Sequence, residues 1–505
     1  MSLRLTGIAV GTGTMETESN LKQLVEPETL KGFQDLLPEN MIARNAIIDK
    51  IRKVYEKYGF VPIDTPTLEY LTTLVGTGGE EVNKQLFKLE SPEGDPIALR
   101  FDLTVPFARL IAQYPEKLKL PFRRYHLGPV FRADKPDPGR FRQFTQFDID
   151  IAGSGSIMAD AEIVATMCEV LRSIGLAGSG ADGQVATPEF QVRINNRKLV
   201  DALLAGSGIT EQETQKHVLR VVDKLQKIGL DSVRAELGAG RTDESGDKIR
   251  GVGLAPDVID RILAFISVTG ATREALIAAV AEVLPASAHT ETALQEMQEL
   301  ATALKCLGVG EQEAIFDPSL ARGLDYYTGP VFEAFLPSAP QFGSIMGGGR
   351  YDQLVERFME NAIPATGASI GLDRLIAALT HLGKIEVVPT TTKVLVLAMR
   401  GIPATELLAI ATELRAQDIP TEVFMGETNT SVRKQFAFAN AKGIPVAVML
   451  GEDELSSGHI SVKNLEVGMQ SRANIQDHSE YHKAGRTGQA TVERSQLVQA
   501  VKEML

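Results

Sequence analysis

The apolar positions of this chain change their period several times, and each change marks an element. Residues 41–58 (MIARNAIIDKIRKVYEKY) carry apolar side chains at helical spacing, and Gly59 supplies a stop. The segment Phe60-Val-Pro-Ile-Asp-Thr-Pro66 is predicted as extended, because two prolines break it. Residues 97–113 read as the end of a strand followed by a helix. Strands are predicted over 122–132 and 141–152, flanking the turn Lys135-Pro-Asp-Pro-Gly139, and Phe190-Gln-Val-Arg-Ile-Asn195 reads as another.

From about 205 to 305 helical periodicity dominates, interrupted by the polar loop GAGRTDESGDKIRG, which predicts a helical insertion. Strand signals return at Arg322 and run into the apolar positions Val331, Phe332 and Phe335. A Gly-rich stretch, Gly343-Ser-Ile-Met-Gly-Gly-Gly-Arg-Tyr-Asp352, precedes a helix over 371–379. Pro389-Thr-Thr-Thr392 reads as a linker. Beyond it strands and helices alternate, which predicts a compact doubly wound α/β domain. A short amphipathic helix over 495–505 closes the chain, and no internal repeat is found.

Composition narrows the class. A chain of 505 residues, 44% apolar and 23% charged, is an ordinary soluble globular protein of several domains. Cys168 and Cys306 show neither metal spacing nor a disulfide framework, so a reducing, cytoplasmic compartment is expected. No apolar run approaches the length of a membrane span, and no membrane association is expected. Residues 1–27 are Gly/Thr/Glu-rich, with Arg4 and Lys22 as their cations, and read as a mobile tail rather than a targeting peptide. The net charge of −13 argues against a general nucleic-acid coat. It is reversed locally: seven cations and two acids lie between Lys119 and Arg142.

Two segments carry candidate chemistry. The run Arg322-Gly-Leu-Asp-Tyr-Tyr-Thr-Gly-Pro-Val-Phe-Glu-Ala-Phe335 places an arginine, an acid and two tyrosines at a strand start. Buried polar heads need partners, so such a cluster suits the wall of a pocket for a small polar ligand. The hairpin Phe131-Arg-Ala-Asp-Lys-Pro-Asp-Pro-Gly-Arg-Phe-Arg-Gln-Phe-Thr-Gln-Phe-Asp-Ile-Asp150 suits a nucleoside triphosphate. Arg132 can meet a phosphate with a planar fork, and Phe144 offers a flat face to a purine. On the returning strand Gln146, Asp148 and Asp150 share one side and Phe147, Ile149 and Ile151 the other. The bland alternative is a half-exposed hairpin. The seven histidines are scattered and define no metal site.

The hairpin is similar to motif 2 of class II aminoacyl-tRNA synthetases. Residues 41–66 resemble motif 1, with Pro66 at its proline, and Gly371-Leu-Asp-Arg374 resembles motif 3. The run 322–328, with Arg100-Phe-Asp-Leu-Thr104 and Gly347-Gly-Gly-Arg-Tyr-Asp352, resembles the signatures of the histidyl-tRNA synthetase family. The resemblance covers roughly residues 28–470. It implies an α+β catalytic domain over 28–388, built on an antiparallel sheet with the helical insertion, and an α/β anticodon-binding domain over 389–505. The markers of the latter are Gly426-Glu, the stretch from Ser431 to Asn440 and that from Gly443 to Glu452; Arg433, Lys434 and Lys442 would be its RNA-facing cations.

The implied activity is ligation of histidine to tRNA(His) through histidyl-adenylate, with ATP as substrate, Mg2+ on its β- and γ-phosphates, and a homodimer built through motif 1. Arg132 and Arg322 would be catalytic at the α-phosphate, Arg132 also reaching the substrate carboxylate. ATP would be held by Arg132, Asp134, Phe144 and Arg374. Histidine would be held by Asp102, Thr104 and Gln146 at its ammonium and by Asp150 and Tyr327 at the imidazole nitrogens. Arg322, Tyr326 and Tyr351 would complete that site. No protein side chain is assigned to a metal. Regulatory subunits of ATP phosphoribosyltransferase share the catalytic fold and bind histidine without charging tRNA; they form the alternative reading. Arg132, Arg322, Arg374 and the chain beyond 390 weigh against it. Two positions depart from the pattern. Thr145 replaces the usual aromatic or histidine, and Asp137-Pro138 stands where many bacterial members carry a Gln-Lys pair that reads the tRNA. The wording Phe-Asp-Ile-Asp-Ile-Ala-Gly153 looks like the eukaryotic and alphaproteobacterial branch.

Overall fold

The computed structural model describes residues 25–76, 83–135, 139–178, 187–243, 246–321, 326–427, 430–470 and 488–505. Helix α1 (Pro38–Lys57) opens on a proline, whose missing N–H is harmless in a first turn. It ends at Gly59, which turns the chain with φ +79°. Its apolar stripe, Ile47, Ile48, Ile51, Val54 and Tyr55, is buried.

The stripe packs beneath an eight-stranded sheet made of β1 (Val61–Pro62), β2 (Phe122–Phe131), β3 (Gln143–Ala152), β4 (Gln191–Asn196), β5 (Ala314–Phe316), β6 (Pro330–Phe335), β7 (Met346–Arg350) and β8 (Ala365–Gly371). The spatial order is β1-β2-β3-β8-β7-β6-β4-β5. Every pairing from β2 to β4 is antiparallel, and the edge strands β1 and β5 join in parallel. The expected antiparallel platform is present. Strand β5 was not predicted, because three residues carry no readable period. Strand β6 starts at Pro330, after the tyrosine pair rather than at Arg322, and residues 322–325 lie outside the described residues.

Alternation along β3 divides the domain. Phe147, Ile149 and Ile151 enter the main core with α1 and with α3 (Ile157–Leu171). Gln146, Asp148 and Asp150 point the other way, and Ala152 continues their row into a second cluster around α2 (Thr104–Gln113). That cluster holds Phe107, Ala108, Ile111, Tyr351 and Leu354. Helix α4 (Leu372–His381) follows β8 directly.

The segment expected as an insertion is helical: 212–222, 225–237, 256–266, 273–283 and 288–306, with a hairpin of 240–242 and 248–250. Its last helix, Ala288–Cys306, lies against α3 and buries Ala293, Met297, Leu300 and Leu304 in the main core, so this end of the segment belongs to the body of the domain. Helical periodicity alone cannot reveal that, since it gives a helix's apolar face but not its partner.

After the linker, β9 (Val394–Val396), β10 (Thr421–Val423), β11 (Val446–Met449), β12 (His459–Asn464) and β13 (Gln489–Glu493) form a second sheet in the order β10-β9-β11-β12-β13. Its first three strands are parallel and the last two antiparallel, a mixed version of the expected doubly wound domain. Helices α5 (Ala404–Arg415) and α7 (Leu497–Met504) cover one face and α6 (Val432–Ala441) the other. The end of the chain is structural: β13 pairs with β12, and α7 inserts Leu497 and Val501, both fully buried.

Leu497→Ala removes the central side chain of that docking. It should destabilise the C-terminal domain by about 2–5 kcal/mol, read as a lower midpoint for its unfolding transition. An unchanged midpoint would mean that α7 contributes no core.

Candidate active site

Strands β2 and β3 set the site by register. Arg124 stands opposite Asp150, His126 opposite Asp148 and Gly128 opposite Gln146. On the other side of β3, Asp150 faces Gly367 and Asp148 faces Ser369. Gly367 allows this arrangement: a Cβ there would lie 2.0 Å from Asp150 Oδ1. Gly349 plays the same part for Tyr327, whose ring would come within 2.9 Å of an added Cβ. The Gly-rich stretch is therefore the floor of a cavity, where backbone must approach side chains closely.

That cavity, of about 300 Å3, is lined by Asp102, Thr104, Gln146, Asp150, Tyr326, Tyr327 and Tyr351, together with Phe101, Arg132, Asp148 and Ser369. Every residue expected at the amino acid is thus brought together except Arg322, which lies outside the described residues. Tyr351 donates its hydroxyl to Asp150 Oδ1. The Tyr326 and Tyr327 rings lie 4.3 Å apart, with Tyr326 donating to the Tyr327 hydroxyl at 2.9 Å and remaining 41% exposed at the mouth. One Asp102 oxygen accepts from the N–H of Thr104 and of Val105 at the start of α2, which fixes the carboxylate in place. Gln146 donates to Ser369 Oγ at 2.8 Å, and its buried carbonyl oxygen has no hydrogen-bond partner among the described residues.

The electrostatics of the floor are unusual. Burial pushes the Asp148 carboxyl up to about 7 and Asp150 to about 6, while the Arg124 guanidinium opposes the rise. Arg124 Nη2 contacts Asp150 Oδ2 at 2.5 Å and lies 3.9 Å from Asp148 Oδ2. Burial also raises the phenols of Tyr327 and Tyr351, so both stay protonated and able to donate.

A second cavity of about 520 Å3 adjoins the first, and Arg132, Gln146, Gly347 and Ser369 line both. Asp134, Phe144 and Arg374, the residues expected at ATP, line it with Lys135 and Arg140. The Arg132 guanidinium lies over two rings, 4.1 Å from the centre of Phe101 and 5.1 Å from that of Phe144. Arg374 donates to the Ser344 carbonyl at 2.8 Å.

The local excess of cations over 119–142 is not one patch. Arg123 pairs with Glu162 and Arg124 is buried, whereas Arg132, Lys135 and Arg140 face the second cavity. Asp137 and Pro138 lie outside the described residues, as do His478 and His482. Among the described residues no group of three or more His, Cys, Asp or Glu could hold a metal, and no helix is long and apolar enough to cross a membrane.

Several site residues were missed. Asp373 accepts from Arg44 of α1 at 2.9 Å and from the Thr145 N–H at 2.7 Å, tying motifs 1, 2 and 3 to one carboxylate. Because Thr145 takes part through its backbone, this contact does not depend on its departure from the family pattern. Arg124 was counted only as a charge. The available signal was that Arg124 and His126 alternate on β2 just as Asp148 and Asp150 do on β3. In the C-terminal domain Arg433 and Lys434 are exposed, but Lys442 is held by Glu422 at 2.8 Å.

The sequence matches the family described as Histidyl-tRNA synthetase over residues 32–375, and that described as Anticodon binding domain over 387–485. The chain belongs to the histidyl-tRNA synthetase family. It is 40% identical over 492 residues to a protein of Caulobacter vibrioides named Histidine–tRNA ligase, covering 95% of this chain and 97% of that relative. Its fold is similar to the crystal structure of histidyl-tRNA synthetase from Nostoc sp. PCC 7120, with a TM-score of 0.77, 30% identity, and coverage of 95% and 100%. It also resembles a Bacillus halodurans structure titled an ATP phosphoribosyltransferase regulatory subunit/histidyl-tRNA synthetase, with a TM-score of 0.65 and 26% identity, covering 81% of this chain and 95% of that one.

The raised Asp148 carboxyl predicts a pH signature. A group whose folded value is raised favours the fold while protonated, below the ordinary carboxylate range of about 4, and loses that contribution as pH rises through its folded value. Asp148→Asn removes this loss. The melting temperature of the ligand-free variant minus that of wild type should increase between about pH 4 and pH 7, then level off. A difference independent of pH would show that Asp148 does not titrate in this range.

Proposed function

We propose that this protein is a histidine–tRNA ligase: it activates histidine with ATP to histidyl-adenylate and transfers the histidyl group to the 3′ end of tRNA(His). The observation that carries this reading is the meeting of two cavities at Arg132, one polar and closed by tyrosines, the other rich in cations. A histidine carboxylate placed beside Arg132 can attack the α-phosphorus of ATP bound in the adjoining cavity. A carboxyl oxygen–phosphorus bond forms, the bond to the β-phosphate oxygen breaks, and pyrophosphate leaves. A terminal ribose hydroxyl of the tRNA then attacks the carbonyl carbon, and AMP departs with the phosphate oxygen.

Each residue has a physical reason for its part. Arg132, together with Arg322, would offset charge on the α-phosphoryl oxygens. Arg374 would hold the γ-phosphate; Phe144 would take the adenine, with Asp134 ordering that end. Asp102, Thr104 and the Gln146 carbonyl supply acceptors for an ammonium. Asp150 and Tyr327 would meet the two imidazole nitrogens, with Tyr326 and Tyr351 as walls. Glu333 lines the nucleotide cavity, and with the phosphates it suits Mg2+, which would neutralise phosphate charge when bound. The regulatory-subunit reading is not favoured, because Arg132 and Arg374 share one cavity and a C-terminal domain with its own five-stranded sheet is present.

A homodimer is part of the proposal. Strands 68–70, 88–90 and 96–99 form a small sheet in which Tyr70 and Leu89 both stand opposite Ile97, and Leu68 opposite Leu99. One face of this sheet is thus apolar, with Tyr70 60% and Leu89 48% exposed. A second copy would cover it. We place the enzyme in the cytoplasm.

Histidine-dependent ATP–pyrophosphate exchange tests the activity. Wild type should exchange only with histidine, and Arg322→Ala should lower the rate by about 100-fold or more. Histidine binding without exchange would favour the regulatory reading. Leu89→Asp should shift sedimentation from dimer to monomer; an unchanged coefficient would place the interface elsewhere.

A further inference from the structure

Arg124 has no part in the roles above, yet it is the most deeply placed charge at the pocket. It is 0% exposed and stands directly across from Asp150. Two of the other buried arginines act as staples between backbone segments. Arg100 donates to the carbonyls of Pro129 and Thr65, and Arg273 to those of Gly310, Ala314 and Val309. Arg124 makes one such bond, from Nη2 to the Leu103 carbonyl at 3.3 Å. Its Nε and Nη1 have no hydrogen-bond partner among the described residues, and its plane lies 4.6 Å from the Phe107 ring centre. The contacts that remain are with the two carboxylates of the pocket, in ion-pair contact with Asp150 rather than an aligned hydrogen bond.

We propose that Arg124 is a positioning residue for histidine: from beneath the floor it favours the charged forms of Asp150 and Asp148 and aims both at the amino acid. This rests on the assignment of the first cavity to histidine. Asp148 and Asp150 are two residues apart on one strand face, so both ionise only against burial and mutual repulsion. Further groups act on them. Asp102 repels both carboxylates from the α2 side, and Tyr351 donates to Asp150 from beside β7. His126, next on the β2 face, is pushed down to about 4 by burial and by Arg124 and Arg100, so it is neutral at physiological pH. Tyr55 of α1 is held protonated by burial. Arg124 is therefore the cation in contact with the pair among the described residues.

The test is ATP–pyrophosphate exchange from about pH 6 to 9 with wild type, Arg124→Met, Arg124→Lys and Arg124→Met/Asp148→Asn. Comparing each variant with wild type at equal pH cancels the titration of histidine itself. In Arg124→Met the KM for histidine should rise about tenfold or more at pH 7, while the KM for ATP changes less than about twofold. The histidine ratio should shrink as pH rises and the carboxylates ionise without help. Arg124→Lys should restore most of the affinity, and the double variant, with one carboxylate fewer, should recover at a lower pH than Arg124→Met. An unchanged histidine KM, a ratio flat with pH, or an equal rise in both KM values would overturn the proposal. If Arg124→Met does not fold, the lysine and double variants decide by the same profiles. A wild type without histidine-dependent exchange would instead overturn the functional reading, and no variant is needed to see it.

Discussion

The constraint on which the site depends is the enclosure of two carboxylates on one strand face with a single guanidinium beneath them. Burying either acid alone would favour its neutral form, and burying both would do so more strongly. Arg124 meets Asp150 at 2.5 Å and sits behind both on the adjacent strand. This needs register as much as charge. A one-residue slip between β2 and β3 would either turn Arg124 into the apolar core or bring Phe147 and Ile149 to the pocket face. The apolar half of β3, packed on α1 and α3, is what excludes that slip.

The same economy appears at the junction of the three motifs. Asp373 receives a guanidinium from α1 and a backbone N–H from β3, both contacts shielded from solvent. Charge-assisted bonds of this kind are strong where water is excluded. They tie α1, the β2–β3 hairpin and α4 to one carboxylate. The helix that precedes β1, the edge strand of the main sheet, is thereby connected to α4, whose Asp373 and Arg374 line the second cavity.

Much of the platform was legible because its period is regular. The hairpin, α1, the division of β3 into a polar and an apolar face, and the helical segment all follow from spacing. Gathering Asp102, Thr104, Gln146, Asp150 and the three tyrosines around one cavity required the resemblance, since they come from distant parts of the chain. What stayed hidden depends on partners rather than period. Strand β5 is too short to show alternation, the helix 288–306 looks like its neighbours until α3 is placed beside it, and β13 carries too few apolar residues to stand out. Arg124 was hidden for a related reason: in a cation-rich stretch a buried arginine and a solvated one read alike.

The two cavities differ in how they can discriminate. The second cavity offers cations and flat rings, which suit phosphates and a purine in general. The amino acid side offers an enclosed set of donors and acceptors, several of them already engaged with one another, such as Tyr351 with Asp150 and Gln146 with Ser369. A ligand that fails to satisfy such a set leaves buried polar atoms unpaired, and the loss is large because water cannot replace it. On the proposed assignment, specificity for the amino acid would rest on the close approaches allowed at Gly367 and Gly349 and on the register that places Arg124 across from Asp150. Gly349 and Arg124 stand outside the lining, so the set of donors and acceptors a ligand meets there depends on residues behind the cavity wall as well as on those within it.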